Sequence, residues 1–191
     1  MATKVIPPFI IIPKFLTKTE CNNIIKLGNK KPAKLEQFGE DEGRYSHATE
    51  FTPCMFNNPE EEYGNRIHKR LIEINDTIYG YKLNMKKWLH GSFLRYDKDG
   101  FTNWHYDGYF GTEYPERKLT GVVMLSEGGK DYAGGDFEFP FYMNLTPKQQ
   151  LQMKQKGTLI VFPSSSFHRV TTVTDGTRYS LGFFMPGPLF K

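Results

Sequence analysis

From about residue 82 onward the chain is a succession of short apolar runs cut by Gly and Pro. They fall at 86–96 (KKWLHGSFLRY), 102–106, 118–125 (KLTGVVML), 135–139, 157–163 (GTLIVFP), 168–173 and 177–184 (TRYSLGFF). Each is rich in Val, Ile, Phe and Tyr and has the length of a strand rather than a helix. So many short strands following two helices point to a mainly β fold, a sandwich or jelly roll buttressed by helices.

The helices come earlier. Residues 8–13 (PFIIIP) read as a short buried strand. A helix then starts at Thr17, which can cap, with Glu20 at its third position and Leu16 placed to staple onto Cys21. Ile24, Ile25 and Leu27 continue its apolar face, and Gly28 ends it. The second helix runs from about Pro59 to Tyr79, with Asn58 as cap and Glu60 to Glu62 at the positive end of the dipole. Tyr63, Ile67, Leu71, Ile74 and Ile78 share one face, and His68 beside that stripe reads as a solvated histidine. Residues 30–58 have no clear period and suggest short strands and a long exposed connection. Thr146-Pro147 with KQQLQMK fits either a short helix or an irregular excursion.

At 191 residues the chain has the size of one domain, expected to span 1–191 with a helical part at about 1–82 and a β core at about 83–191. Hydrophobic residues make up 38% and charged residues 24%, an ordinary globular balance. The net charge of +4 comes from scattered Lys and Arg, not a basic block, so it argues only weakly for a nucleic-acid partner. The apolar run Phe9 to Ile12, fenced by prolines, is too short for a signal-peptide core or a membrane span. A soluble, cytoplasmic, monomeric protein is the expectation. Cys21 and Cys54 have no CxxC or metal-like spacing and read as bystander thiols in a reducing compartment.

The chemistry begins at Trp104-His105-Tyr106-Asp107. On a strand, residues i and i+2 face the same way, so His105 and Asp107 can converge on one point. One imidazole and one carboxylate are two thirds of the facial triad of non-haem Fe(II) oxygenases. Alone, the pair is weak. A third candidate, His168, follows the apolar strand ending in Phe162-Pro163-Ser164, and Arg178 stands beyond it. If 168–173 and 177–184 form a hairpin at Asp175-Gly176, Arg178 points into the same barrel. A buried guanidinium needs an anion and suits a carboxylate, supplied by a ligand or by an acid of the protein itself.

The ordered set Tyr96, His105, Asp107, Gly134-Gly135, Phe162-Pro163-Ser164, His168 and Arg178 resembles the prolyl 4-hydroxylase-like branch of the 2-oxoglutarate/Fe(II) oxygenases. The likeness covers about residues 90–187, and PFIIIPKFLTKTEC resembles that branch's helical entry. It implies a double-stranded β-helix (jelly roll) core with N-terminal helices packed on one sheet, an α+β arrangement. It implies that His105, Asp107 and His168 are the catalytic metal ligands and that Arg178 binds the distal carboxylate of 2-oxoglutarate. Tyr96 matches a tyrosine that hydrogen-bonds this co-substrate, Thr120 a small polar position facing it, and Ser180 a helper of Arg178 or a core hydroxyl. Fe(II), 2-oxoglutarate and O2 are the implied cofactors and co-substrates, with ascorbate a candidate reductant.

The implied activity is a dioxygenase that hydroxylates a C–H bond, a prolyl residue of a polypeptide first of all, with succinate and CO2 as co-products. The partner is then a protein or peptide. A free amino acid or another small molecule is the alternative substrate, and a non-catalytic jelly-roll binding module the alternative from another class. A nucleic-acid demethylase is disfavoured because Phe184 stands where those relatives carry a second arginine. A sugar-binding cupin is disfavoured because the motif reads His105-Tyr106-Asp107 rather than HxH, and a zinc hydrolase would leave Arg178 without purpose. Met124 departs from the aromatic residue common in relatives that act on proline, and Asp136 from the usual glutamate after Gly-Gly. Residues 39–58 and 97–103 are candidate lids over the mouth. Arg44, Tyr45 and Tyr109 are candidate substrate contacts there, while Trp104 and Tyr106 are expected to pack in the core.

Overall fold

The computed structural model describes residues 6–30, 34–37, 44–51, 60–84, 90–140 and 145–189. The expected cap at Asn58, Pro59, the thiol of Cys54 and most of the 39–58 segment lie outside them.

Helix α1 (Lys18–Gly28) begins as its sequence dictates. Thr17 Oγ1 accepts from the Glu20 amide at 3.2 Å, and Glu20 accepts from the Thr17 amide at 2.7 Å, a complete capping box. Leu16 and Cys21, on either side of the cap, are buried in one cluster. Helix α2 (Glu60–Ile74) buries Ile67, Leu71 and Ile74, and its last residues widen into a π-helical turn, Asn75–Tyr79. Asn75 closes that turn, donating through Nδ2 to the Tyr81 carbonyl and accepting from the Tyr81 amide, both at 2.9 Å. His68 is half-buried rather than solvated, and burial lowers its proton affinity. The undecided segment after Thr146 is a helix, α3 (Pro147–Met153), with a second capping box formed by Thr146 and Gln149. No described helix is long and apolar enough to cross a membrane.

The strands are β1 (Ile10–Ile12), β2 (Lys34–Gln37), β3 (Arg44–Phe51), β4 (His90–Tyr96), β5 (Phe101–His105) and β6 (Arg117–Met124). They continue with β7 (Tyr132–Gly134), β8 (Phe137–Glu138), β9 (Leu159–Pro163), β10 (His168–Val170), β11 (Val173–Gly176) and β12 (Arg178–Pro186). One antiparallel sheet runs β1-β9-β6-β12-β4-β3-β5-β10-β8, with β2 on β3, while β11 and β7 form a separate pair. This is the mainly antiparallel jelly roll with helices on one sheet that the sequence resemblance implied.

Alternation along the central strands sorts the interior into two cores. Leu119, Val123, Leu159, Val161, Leu181 and Phe183 pack with Ile24, Ile67, Leu71 and Ile74 of the helices. The residues between them, among them Val122, Met124, Ile160 and Phe162, join Tyr96, Tyr132 and Phe137 in the second cluster, inside the roll.

The expected hairpin between 168–173 and 177–184 does not form. That first run splits into β10, which pairs with β5 and β8, and β11, which pairs with β7; β12 lies between β4 and β6. Asp175-Gly176 therefore ends β11 instead of turning a hairpin. Gly176 has φ +70°, and a Cβ there would clash with the Asp131 carbonyl oxygen. The 97–103 segment is not a loose lid either. Residues 97–100 form a turn clamped to β11 by Asp99 N to Val173 O at 2.8 Å and Val173 N to Gly100 O at 2.9 Å.

Candidate active site

Strand β5 carries an irregularity that places the first histidine. His168 pairs with His105, but Val170 pairs with Thr102, so β5 spends one more residue than β10 over the same span. Such a bulge resets the alternation of side chains. Thr102 and His105 thus face the interior although three residues apart, and Asn103 is exposed. The strand ends at His105, so Asp107 sits in the following bend rather than on a strand. Its backbone is fixed there by Ser164, whose carbonyl oxygen accepts from both the Asp107 and Gly108 amides at 3.0 Å.

His105, Asp107 and His168 meet, with one ligand atom from each lying within 4.8 Å of the others. Among the described residues no other trio of histidine, cysteine and acid groups does so. His105 Nδ1 donates to the Asn103 carbonyl at 2.8 Å and His168 Nδ1 to the Ser166 carbonyl at 2.9 Å. Those bonds fix the tautomer and turn each Nε2 inward, 3.5 and 3.6 Å from the Asp107 carboxylate. His168 is buried among Phe137, Phe139 and Phe162. Burial disfavours the Asp107 charge, but His168, His105 and the Thr120 hydroxyl together hold its carboxyl below the ordinary carboxylate range. Two imidazoles and a carboxylate, oriented from behind, fit a divalent iron with an open side.

Thr120 is buried, and its Oγ1 donates to Asp107 Oδ2 at 2.9 Å while contacting Ser164 Oγ at 2.9 Å. Its hydroxyl is therefore engaged with the ligand carboxylate.

Arg178 is fully buried. Its Nη1 donates to Ser180 Oγ at 3.1 Å, its Nη2 to the thioether of Met124 at 3.5 Å, and its Nε has no partner. The guanidinium lies 5.0 Å from the Tyr96 ring, and Tyr96 Oη shares a hydrogen bond with Thr102 Oγ1 at 3.0 Å. No described acid lies within ion-pair distance of Arg178, and the guanidinium keeps a donor unused. This incomplete pairing fits the far carboxylate of 2-oxoglutarate.

At the surface, Trp104 stacks on Phe167, Phe167 meets Tyr106, and Tyr106 stacks on Tyr109. Tyr106 and Tyr109 are exposed, so the expected core role of Tyr106 is overturned; Trp104 is half-buried under Arg169. Arg44 and Tyr45 lie on β3, where the backbone pairs Arg44 with Thr102 and Tyr45 with Phe101; only that backbone is described.

Two residues at the site escaped the sequence reading. Arg117 is held between the Tyr114 and Phe184 rings, 3.7 and 3.8 Å from their centroids, and its Nη1 reaches the Asp107 carbonyl at 3.5 Å. Tyr132 lies buried beside Arg178. Its place two residues ahead of Gly134-Gly135 was the only sequence signal.

Comparison with known proteins agrees with this arrangement. The profile described as the 2OG-Fe(II) oxygenase superfamily matches residues 91–186, about half of the chain. A PKHD-type hydroxylase of Rippkaea orientalis is 31% identical over 87 residues, which make up 45% of this chain and 37% of that protein. The chain thus matches little more than a third of that relative's length. The viral collagen prolyl hydroxylase of Paramecium Bursaria Chlorella virus-1, solved with 2OG, superposes with a TM-score of 0.70 at 22% identity, covering 95% of this chain and 97% of the other. A prolyl-4-hydroxylase of Pseudomonas putida gives 0.72 at 15% identity, covering 95% and 93%. At those identities the two structures attest to the fold. The sequence profile, running through the segments that carry both histidines, the aspartate and the arginine, places the chain in the 2OG-Fe(II) oxygenase superfamily.

Proposed function

We propose that the chain hydroxylates a prolyl residue of a polypeptide, using 2-oxoglutarate and O2, with succinate and CO2 as co-products. In this reading His105, Asp107 and His168 hold Fe(II), and Arg178 with Ser180 and Tyr96 receives 2-oxoglutarate. The bound iron and co-substrate supply the oxidant for C–H hydroxylation. The protein's own residues position and shield. The Asn103 and Ser166 carbonyls orient the two imidazoles, Thr120 orients the carboxylate, and Phe137, Phe139 and Phe162 keep water from His168.

The observation that carries the peptide reading is the aromatic surface of Trp104, Phe167, Tyr106 and Tyr109, which adjoins the two ligands flanking Tyr106. Tyr109 and Phe110, 49% and 62% exposed, extend it outward. Exposed rings of this kind suit a pre-extended, proline-containing chain, which loses little entropy on docking. The test is a peptide-library screen with Fe(II) and 2-oxoglutarate, read by mass for the gain of one oxygen atom on proline. Succinate formation with no hydroxylated peptide would overturn the peptide assignment and point to a small-molecule substrate.

A further inference from the structure

We propose that Tyr132 Oη is a second donor, beside Arg178, to the far carboxylate of 2-oxoglutarate. The proposal rests on the co-substrate site described above and adds to it a residue from a different strand. Tyr132 stands on β7 opposite Gly176 of β11, and the Thr177 amide donates to the Asp131 carbonyl at 3.2 Å. Those contacts bring the phenol to the start of β12, where Arg178 emerges. Both side chains pack on Gly135: a Cβ there would lie 3.0 Å from Arg178 Cδ and 3.2 Å from Tyr132 Cε2.

The hydrogen-bond inventory of the pair is incomplete. Tyr132 is 3% exposed; its Oη has the donor-only Arg178 guanidinium beside it and no acceptor for its own proton, and Arg178 Nε has no acceptor either. Met124, on the adjoining β6, offers Arg178 only a thioether, a weak acceptor. Buried hydroxyls are nearly always partnered in folded proteins, and a phenol is a good donor. Unused donors on two adjacent buried side chains call for one shared acceptor. A carboxylate accepts only, has about four lone-pair sites, and can take an arginine and a phenol together. Arg178 opposes the effect of burial on the phenol by its charge and by donating toward the phenol oxygen, so the two groups share one environment.

The test is Tyr132→Phe, which removes the hydroxyl and keeps the ring. Binding is measured by anaerobic calorimetry with Mn(II) in place of iron, using 2-oxoglutarate and 2-oxopentanoate, which lacks the far carboxylate. The expected result is about a tenfold or greater loss of 2-oxoglutarate affinity, as for a hydrogen bond to a charged group, with 2-oxopentanoate binding unchanged. The ligand-free variant should melt no lower than the parent, since the removed hydroxyl had no acceptor for its proton and lay against a donor-only guanidinium. Equal weakening of both ligands, unchanged 2-oxoglutarate affinity, or a lower ligand-free melting point would each overturn the proposal. Arg178→Gln separates the two levels. If it retains full affinity, the co-substrate site itself is misassigned; if it loses affinity while Tyr132→Phe does not, the phenol alone is.

Discussion

Substituting Thr120 by Val should cost metal affinity without touching a ligand. Thr120 Oγ1 has one proton and donates it to Asp107 Oδ2, so the 2.9 Å contact with Ser164 must run the other way, from Ser164 Oγ to Thr120 Oγ1. The result is an ordered relay, Ser164 to Thr120 to Asp107, in which each bond polarises the next. Valine keeps the shape and deletes the middle of the relay. A hydrogen bond to a charged group contributes about 1.5–3 kcal/mol, and about 1.4 kcal/mol is a factor of ten. The metal dissociation constant should therefore rise roughly ten- to hundredfold, the range usual for loss of a group that orients a ligand. Anaerobic competition against a chromophoric chelator measures it. Thr120→Ser restores the hydroxyl and should recover most of the loss. If Thr120→Val binds metal like the parent while Asp107→Ala does not bind, the relay has no part in orienting the carboxylate.

Replacing Arg178 by Met should abolish 2-oxoglutarate binding, by more than about a hundredfold, yet leave the ligand-free protein as stable or more so. Exchanging a buried charge for a packed apolar side chain is neutral to stabilising by about 1–4 kcal/mol. A melting point several degrees lower would mean that the guanidinium holds the barrel through Ser180, Met124 and Tyr96. Gly135→Ala should destabilise by about 1–3 kcal/mol in urea titration, because φ is +57° and the new Cβ would meet Val173 Cγ2 at 2.9 Å; unaltered stability would refute that packing. Burial pushes the Cys21 thiol from an ordinary value near 9 up to about 11. Its neutral form is favoured by folding, so this contribution is complete below pH of about 9 and is lost as pH rises through 11. Mass spectrometry of iodoacetamide-treated protein should find Cys21 unmodified at pH 8 until denaturant is added; rapid labelling of native protein would contradict the burial.

Local features were legible where local chemistry decides them. Thr17 and Glu20 are three residues apart in any conformation, so the capping box needed no tertiary knowledge. The stripe of Ile67, Leu71 and Ile74 likewise followed from helical period alone. The triad was legible as residue types in order, but the expected geometry behind it was not. Strict alternation puts Asn103 inside and Thr102 outside; the bulge reverses both, and nothing in FTNWH announces it. The Asp175-Gly176 pair misled for a related reason. A glycine with positive φ serves a hairpin turn or a close backbone contact equally well, and which one applies depends on Asp131, distant in sequence. Tyr132 was invisible because an aromatic residue on a short strand is usually core; only its orphaned hydroxyl marks it out.

Those orphaned groups explain why the two cores differ. Unused donors on Arg178 and Tyr132 are unfavourable for folding while no anion is bound. Such a site persists only if the rest of the molecule over-determines its geometry. Strands β6, β9 and β12 can do so because every second residue, Leu119, Val123, Leu159, Val161, Leu181 and Phe183, is committed to the helices on the outer face. That face owes nothing to the ligands. The residues between them are then free to be chosen for chemistry: Thr120 on β6, Phe162 on β9, Arg178 and Ser180 on β12. Loss of packing at Leu71 or Leu181 should therefore appear first as reduced stability, whereas loss of Thr120 or Arg178 should appear first as reduced binding, because one pleated surface separates the two kinds of residue.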